Sequence, residues 1–229
     1  MRTRHAEGVE GARSARGVAV VIDVLRAFTV TAYALAGGAH CRLVASVEEA
    51  RALAAQLPGA VLSAEIDGMP VPGIPISNSP SAIAAAPLGG RTLIQRTTSG
   101  VQAALAAEGC EVVLAAALVN AAATARRLQE LAPPEVTLVA SGAPLGHPED
   151  RFCAERIEAL IDGRPPAPLA ELERMLAATD RIQRVRAGAW PGFPSTDLDL
   201  ALQADRFYFA MSVLRQDGEI AVRPVQGSR

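Results

Sequence analysis

Acidic side chains stand where two apolar runs of this sequence end. The run Val18–Ile22 stops at Asp23, and the run 60–64 stops at Glu65. Arg26 follows Asp23 in the first turn of the next segment, so an acid and a base are expected to face one crevice. Carboxylates at such a place can hold a hard cation or accept a proton. Asp23, Arg26 and Glu65 are therefore candidate catalytic residues.

Two further acids open a predicted helix near the carboxyl terminus of the same region. Glu149 and Asp150 follow the turn-rich loop 141–148 and precede a helical pattern. Adjacent acids in a first helical turn are ordinarily only partners of the helix dipole. Here they close a loop that we expect on the same side of the sheet as Asp23, so both are kept as candidate catalytic residues.

Hydroxyl and amide side chains follow other predicted strands. Three hydroxyls and a glycine after the strand 92–96 can bind an anion, since the next helix offers free N–H groups. The alternative is a cluster of helix caps that binds no ligand. The candidate substrate-binding residues are Asn78, Ser79, Thr97, Thr98, Ser99, Gly100 and Asn120.

Strands and helices alternate along the chain, which predicts a mostly parallel sheet with helices on both faces. Five successive apolar residues from Val18 suit a strand that is buried on both sides. The predicted strands are 18–22, 40–45, 60–64, 92–96, 112–118 and 136–140. In such α/β sheets the ligand crevice lies beyond the carboxyl ends of the strands.

Three segments are predicted. Residues 1–17 are polar and predicted to be flexible, and residues 18–162 form the α/β core. The Pro-rich stretch 164–168 marks the boundary of a smaller C-terminal α/β segment, residues 163–229. That segment is predicted to contain helices at 169–187 and 197–214 and a final strand at 219–225.

Composition excludes several classes of function. The net charge is −2, which gives no pull toward nucleic acid or a membrane surface. All 22 basic residues are Arg, so Schiff-base lysine chemistry and the P-loop lysine are excluded. Three isolated cysteines predict a reduced, cytoplasmic setting. The Ala-rich faces are compatible with a homodimer.

Carboxylates beside hydroxyls, an amide and an arginine suit Mg²⁺ next to a small phosphorylated molecule. At these residues the sequence resembles the 2-phosphosulfolactate phosphatases over about residues 18–162. The resemblance rests on five segments in order: Asp23-Val24-Leu25-Arg26-Ala27, Asn78-Ser79-Pro80, Thr97-Thr98-Ser99-Gly100, Leu118-Val119-Asn120-Ala121 and Glu149-Asp150-Arg151-Phe152-Cys153-Ala154. It implies a Mg²⁺-dependent phosphatase that converts 2-phosphosulfolactate to sulfolactate and phosphate on the route to coenzyme M, with a fold of its own.

Other phosphatase mechanisms do not match the residues. An aspartyl nucleophile of the haloacid dehalogenase type needs a second Asp two positions after Asp23, where Leu25 stands. A cysteine phosphatase needs an Arg six residues after its Cys, where Val47, Ala116 and Ala159 stand. His147 is interpreted as a solvated loop residue. Attack by a metal-activated water remains.

In this hypothesis Asp23, Glu65 and either Glu149 or Asp150 hold Mg²⁺, with Asp150 as the first choice. The carboxylate that is left over is the general base. Arg26 and the turn 97–100 bind the phosphoryl oxygens, and Asn120 orients the substrate.

Departures from the family pattern leave the substrate open. Ile66 stands where the family carries a basic group, Ser99 replaces an Asn, and Ala143-Pro144 replaces a more polar pair. The changes at Ile66 and Ala143 favour a related hydrolase for another phosphorylated hydroxy acid. A non-catalytic protein that binds an anionic metabolite is a further alternative.

Overall fold

A computed structural model describes residues 1–142 and 147–226 of the chain. Its strands are β1 (Arg2–Glu7), β2 (Gly17–Ile22), β3 (His40–Leu43), β4 (Val61–Ile66), β5 (Met69–Pro70), β6 (Thr92–Arg96), β7 (Cys110–Ala116), β8 (Glu135–Ala140), β9 (Phe209–Gln216) and β10 (Glu219–Gln226). Its helices are α1 (Gly8–Ser14), α2 (Ala27–Ala36), α3 (Val47–Gln56), α4 (Pro80–Ala85), α5 (Gly100–Ala106), α6 (Ala121–Leu131), α7 (Pro148–Ile161), α8 (Leu169–Ala177), α9 (Asp180–Arg186) and α10 (Thr196–Ala201), with a 3₁₀ turn at Leu118–Asn120 before α6.

The ten strands form one sheet in the order β1-β8-β2-β7-β9-β10-β3-β6-β4-β5. Strands β1, β8, β2 and β7 are parallel to one another, and so are β3, β6 and β4. The antiparallel hairpin β9–β10 lies between these two parallel blocks and pairs with both of them. The mostly parallel α/β sheet predicted from the sequence is confirmed.

Strand β2 shows why helices cover both faces of this sheet. Because side chains alternate along a strand, Val18, Val20 and Ile22 face one core, whereas Val21 faces the other. Helices α6 to α9 pack in the first core, and α1, α2 and α5 pack in the second. A strand that is buried on both faces needs an apolar residue at nearly every position, which is the pattern in the sequence.

Helix α2 is enclosed by the rest of the protein. Eight of its ten residues are buried, and the sequence from Ala27 to Ala36 is apolar all round, as a fully buried helix must be. Both of its threonine hydroxyls have hydrogen-bond partners: Thr29 donates to the Val24 carbonyl at 2.8 Å, and Thr31 donates to Gln95 at 2.7 Å. The side chain of Gln95 in β6 thereby ties α2 to the second parallel block.

The amino-terminal segment differs from the expectation that residues 1–17 are flexible. Residues 2–7 form β1, which pairs with β8 along its whole length and occupies an edge of the sheet. Charged residues dominate β1, so no apolar alternation marks it as a strand. Edge strands often carry such charges, because these discourage pairing with another chain.

The C-terminal segment corrects the helix predicted at 197–214. A helix is present only at Thr196–Ala201, and residues 209–216 form β9. The predicted final strand is confirmed as β10, but β9 and β10 lie in the middle of the sheet rather than in a separate small unit. Both strands face one of the cores through Met211, Val213 and Val222.

None of the helices in residues 1–142 and 147–226 is long and apolar enough to cross a lipid bilayer.

The buried face of β8 yields a stability prediction. Leu138 is fully buried, whereas Leu214 in β9 is 42% exposed. Leu138→Ala should lower the free energy of unfolding by about 2–5 kcal/mol because it leaves a cavity. The matched variant Leu214→Ala should change it by no more than about 0.5 kcal/mol. Urea unfolding followed by circular dichroism measures both, and equal losses would contradict this placement of the core.

Candidate active site

Asp23 joins three elements at the end of β2. Its Oδ1 atom accepts a hydrogen bond from the Ala27 N–H at 2.9 Å, at the start of α2. Its Oδ2 atom accepts one from the Gly100 N–H at 2.9 Å, at the start of α5. The carboxyl end of β2 and the segment after β6 therefore meet at one side chain.

Gly100 has to be a glycine for this contact to form. A Cβ atom at this position would lie 2.7 Å from the Cβ of Asp23, which is well inside van der Waals contact. The sequence Thr97-Thr98-Ser99-Gly100 thus places backbone N–H groups against acids of the protein itself.

Glu65 is held by the same turn. Its Oε1 atom accepts from the Thr98 N–H at 2.5 Å, and its Oε2 atom accepts from the Gly68 N–H at 2.5 Å. The Thr98 hydroxyl adds a contact to Oε2 at 3.2 Å. The end of β4 is fixed in this way to the end of β6.

Asp150 connects the loops that follow β2 and β8. Its Oδ1 atom accepts from the Val24 N–H at 2.8 Å, and its Oδ2 atom accepts from the Gly142 N–H at 2.9 Å. The side chain is almost fully buried. Asp150 is therefore fixed beside Asp23 by two backbone donors.

Glu149 is fully buried and paired with Arg181 of α9. Arg181 donates through Nη2 to Glu149 Oε1 at 2.6 Å and contacts His147 Nδ1 through Nη1 at 2.9 Å. The Oε2 atom of Glu149 has no hydrogen-bond partner within the described residues. Among the described residues, one oxygen of this carboxylate therefore has no polar contact.

Burial and neighbouring charges shift the pKa values of three of the acids. Burial raises the pKa of Asp23 to about 6, and the charges of Glu65 and Glu149 add to the effect. Burial, Asp23 and Glu149 raise the pKa of Asp150 well above its usual range. For Glu149, burial also raises the pKa, but the hydrogen bond from His147 and the charge of Arg181 outweigh it and bring the pKa below its usual value. The cluster holds more negative charge than its surroundings neutralise.

Arg26 approaches the acids from the other side. Its Nη1 atom donates to Asp197 Oδ2 at 2.8 Å and to the Gly192 carbonyl at 2.6 Å. The guanidinium carbon lies 3.9 Å from the centre of the Phe193 ring, at the distance of a cation–π contact. Burial lowers the pKa of Arg26, and the hydrogen bond and charge of Asp197 act in the opposite direction.

These side chains surround a cavity of about 310 Å³. Of the predicted catalytic and substrate-binding residues, those that line it are Asp23, Arg26, Glu65, Asn78, Thr98, Ser99 and Asp150. The other lining residues are Leu25, Asp67, Gly68, Gly142, His147, Arg181, Trp190 and Phe193. Acids and two arginines thus share one small chamber.

Five predicted site residues have structural partners and do not line this cavity: Glu149, Ser79, Thr97, Gly100 and Asn120. Thr97 and Ser79 accept hydrogen bonds from Val101 and Ala82 in the first turns of helices. Asn120 is fully buried and accepts from the Ala117 N–H at 2.9 Å. For Thr97, this contact is the capping alternative weighed from the sequence, and Ser79 caps α4 in the same way.

Sequence reasoning missed eight residues of the cavity wall, and four of them have large polar or aromatic side chains: His147, Arg181, Trp190 and Phe193. His147 was expected in solvent, but it contacts Arg181 and Glu149. Arg181, Trp190 and Phe193 come from the C-terminal segment, which was expected to lie apart from the core. Trp190 donates to the Gly68 carbonyl at 3.1 Å, so this segment closes over the loop after β4. The one sequence signal that could have placed this segment at the site is its single Trp, which lies in a loop of Gly and Pro.

The donor set is compatible with Mg²⁺ but does not form a closed cage. No group of three His, Cys, Asp or Glu side chains in the part of the chain that the structure describes is arranged to hold a metal ion by itself. Mg²⁺ commonly keeps several waters and uses only one or two carboxylates together with substrate phosphates. The carboxylates of Asp23, Glu65 and Asp150, which line the cavity together, fit a cation bound in that way.

Comparisons with known proteins show the family of this chain. A family model described as 2-phosphosulpholactate phosphatase matches residues 4–186. The chain belongs to the 2-phosphosulpholactate phosphatase family. The match extends beyond the 18–162 region in which the five sequence segments are found, and it ends before Asp197.

Curated relatives bear the corresponding name. A probable 2-phosphosulfolactate phosphatase of Bacillus subtilis is 34% identical over 203 residues, which cover 88% of each chain. A protein of the same name from Deinococcus radiodurans is 39% identical over 127 residues, covering 55% of this chain and 53% of its own. One from Thermosynechococcus vestitus is 34% identical over 168 residues, covering 70% and 69%.

The family prediction is confirmed, and with it membership of a family whose named members are phosphoric monoester hydrolases. The departure at Ile66 lies on the rim of the site, where the side chain is 46% exposed. The departure at Ala143-Pro144 lies outside the described residues.

The ion pair of Glu149 and Arg181 gives a prediction about stability. Arg181→Met should lower the free energy of unfolding by about 3–5 kcal/mol, because it leaves the buried Glu149 carboxylate unpaired. The double variant Glu149→Gln/Arg181→Met should recover most of that loss. Urea unfolding of the three proteins tests this. A double variant as unstable as the single one would show that the charge of Glu149 is not the cause.

Proposed function

We propose that this chain hydrolyses the phosphate monoester of 2-phosphosulfolactate, releasing sulfolactate and phosphate. The observation that carries the proposal is the 310 Å³ cavity, in which Asp23, Glu65 and Asp150 face Arg26 and Arg181. Membership of the family and the names of the relatives support the same substrate.

The negative charges in the cavity favour a bound metal ion. The proposed substrate carries a phosphate, a carboxylate and a sulfonate, whereas the cavity already holds two acids, Asp23 and Asp150, whose pKa values are raised by burial and by neighbouring acids. Two arginines, one of them paired with Glu149 and the other with Asp197, do not balance this charge. A divalent cation would relieve the repulsion, and Mg²⁺ is the proposed cofactor.

Asp23, Glu65 and Asp150 would hold Mg²⁺ directly or through waters. Within the described residues, one oxygen of each carboxylate (Asp23 Oδ1, Glu65 Oε1 and Asp150 Oδ1) accepts a single backbone hydrogen bond and retains a lone pair. When bound, the ion would neutralise phosphate charge and lower the pKa of a water molecule.

The remaining residues have roles that follow from their contacts. Arg26 would bind phosphoryl oxygens through the donors that Asp197 and Gly192 do not use. Ser99 and Asn78 line the cavity and can orient the substrate. Glu149, the carboxylate left over from the proposed metal set, lies outside the cavity lining. It would accept the proton of the attacking water as general base through His147, which lines the cavity and contacts Glu149 Oε1 at 3.2 Å. Because the pKa of Glu149 is held low, its carboxylate stays ionised and ready to do so.

One observation favours a related substrate. Ile66 places an apolar, half-exposed side chain beside Asp67 and Gly68, which line the cavity. A basic side chain at this position could have contacted the second anionic group of the substrate. A phosphorylated hydroxy acid without a sulfonate, such as 2-phospholactate, is therefore the second candidate substrate.

The proposed setting is the cytoplasm, on a route to coenzyme M. The cysteines Cys41, Cys110 and Cys153 are all free, and two of them are buried, as a reduced compartment allows. A homodimer remains a prediction.

Asp23→Asn should abolish phosphate release without unfolding the protein. The amide would place an N–H group where Asp23 now accepts from Ala27 or Gly100, and it would remove a charge from the cluster. Phosphate release from 2-phosphosulfolactate and 2-phospholactate, with Mg²⁺ and with chelator, measures the effect. Circular dichroism checks the fold.

The control for this variant is Asp162→Asn, which changes an exposed acid that pairs with Arg164. It should retain wild-type activity. Full activity of Asp23→Asn would remove Asp23 from the mechanism. Release from 2-phospholactate alone would establish the second substrate. Tight anion binding with no release at any Mg²⁺ concentration would leave a binding protein.

A further inference from the structure

Asp197 of α10 is a fully buried acid outside the cavity lining and beyond residue 186. Its Oδ1 atom accepts from the Ser79 hydroxyl at 2.8 Å, the Ser81 N–H at 3.0 Å and the Ser81 hydroxyl at 2.5 Å. Its Oδ2 atom accepts from Arg26 at 2.8 Å. A carboxylate with this many donors is held in one orientation.

The contacts of Arg26 divide its guanidinium into two sides. Nη1 is used by Asp197 and the Gly192 carbonyl, and the Phe193 ring covers one face. Within the described residues, its Nε and Nη2 atoms donate to no group, and neither atom is fully enclosed. Since Arg26 lines the cavity, these donors remain for a ligand.

We propose that Asp197 is a positioning residue that anchors Arg26 so that its free edge points at the phosphoryl group of the substrate. The proposal rests on the proposed function for the identity of the anion. The anchor itself is built by Ser79, Ser81 and the loop at Gly192.

Asp197 is needed because Arg26 has competing partners. Asp23 and Glu65 are near enough for their charges to act on the guanidinium. Without Asp197, the buried Arg26 would lose its nearest compensating charge and would turn toward these acids. The donors of Arg26 that should bind the phosphate would then bind Asp23 or Glu65 instead. The second anchor, the Gly192 carbonyl, comes from the same C-terminal segment as Asp197.

Ser79 gains a different role in this account. The sequence predicts it as a substrate-binding residue, but its hydroxyl donates to Asp197. It would therefore act on the substrate only through Asp197 and Arg26. A change at Ser79 or Ser81 should weaken anion binding less than a change at Asp197.

The test measures binding of inorganic phosphate by calorimetry, in the presence of Mg²⁺, together with KM and kcat for phosphate release. Asp197→Asn should raise the Kd for phosphate and the KM at least tenfold. The control is Asp205→Asn, which removes the ion pair with Arg156 away from the cavity. It should leave both constants unchanged, even if it lowers the melting temperature.

A double-mutant cycle separates positioning from general destabilisation. In an Arg26→Lys background, Asp197→Asn should change the Kd for phosphate less than twofold, because its effect passes through Arg26. Should Asp197→Asn fail to fold, Ser81→Ala takes its place, with an expected two- to threefold rise in Kd that Arg26→Lys abolishes.

The outcomes distinguish this proposal from the proposed function. A weakened Kd without any phosphate release in the wild type would support Asp197 as the anchor and reject the phosphatase. Normal phosphate release with an unchanged Kd in Asp197→Asn would overturn the anchor alone. Equal effects of Asp197→Asn with and without Arg26, or no phosphate binding by the wild type, would also overturn it.

Discussion

The two hydrogen bonds to the Asp23 carboxylate are the interaction on which the site depends. One comes from the first turn of α2 and the other from the first turn of α5, so a single side chain joins the ends of β2 and β6. Three antiparallel junctions reverse the direction of the second parallel block relative to the first. The two ends meet nonetheless, and the hydrogen bonds of Asp23 and Glu65 fix them there.

The main energetic cost of this site is electrostatic, because several carboxylates are buried close together. Backbone N–H groups orient Asp23, Glu65 and Asp150, but they only partly compensate burial and mutual repulsion, which raise the pKa of Asp23 to about 6. Arg181 neutralises Glu149, and Asp197 takes up part of the charge of Arg26. When these acids are ionised, the cavity is therefore unsuited to a polyanion, and the proposed cation would remove that obstacle.

Most of the fold, but only about half of the residues that line the cavity, could be predicted from the sequence. Apolar runs that end in polar residues, such as Val18–Ile22 before Asp23, predicted the strands and the acids. Such a run can be identified from the local sequence, without knowing which strands lie beside it. Strand β9 was predicted as helix, since its place in the middle of the sheet depends on neighbours far away in the chain. For the same reason Arg181, Phe193 and Asp197 were missed: their roles arise from contacts that span up to 171 positions. The turn at Thr97–Gly100 was found, but its N–H groups at Thr98 and Gly100 bind Glu65 and Asp23 instead of standing free for an anion.

The central claim is that this acidic cavity accepts a phosphorylated anion only together with a divalent cation. The most direct measurement is the Kd for inorganic phosphate at saturating Mg²⁺ and in chelator, by calorimetry on the wild-type protein. The account predicts binding at least tenfold tighter with Mg²⁺, and an equal gain in Mg²⁺ affinity when phosphate is present, because the two couplings must be the same. Phosphate binding of equal strength in chelator would contradict it.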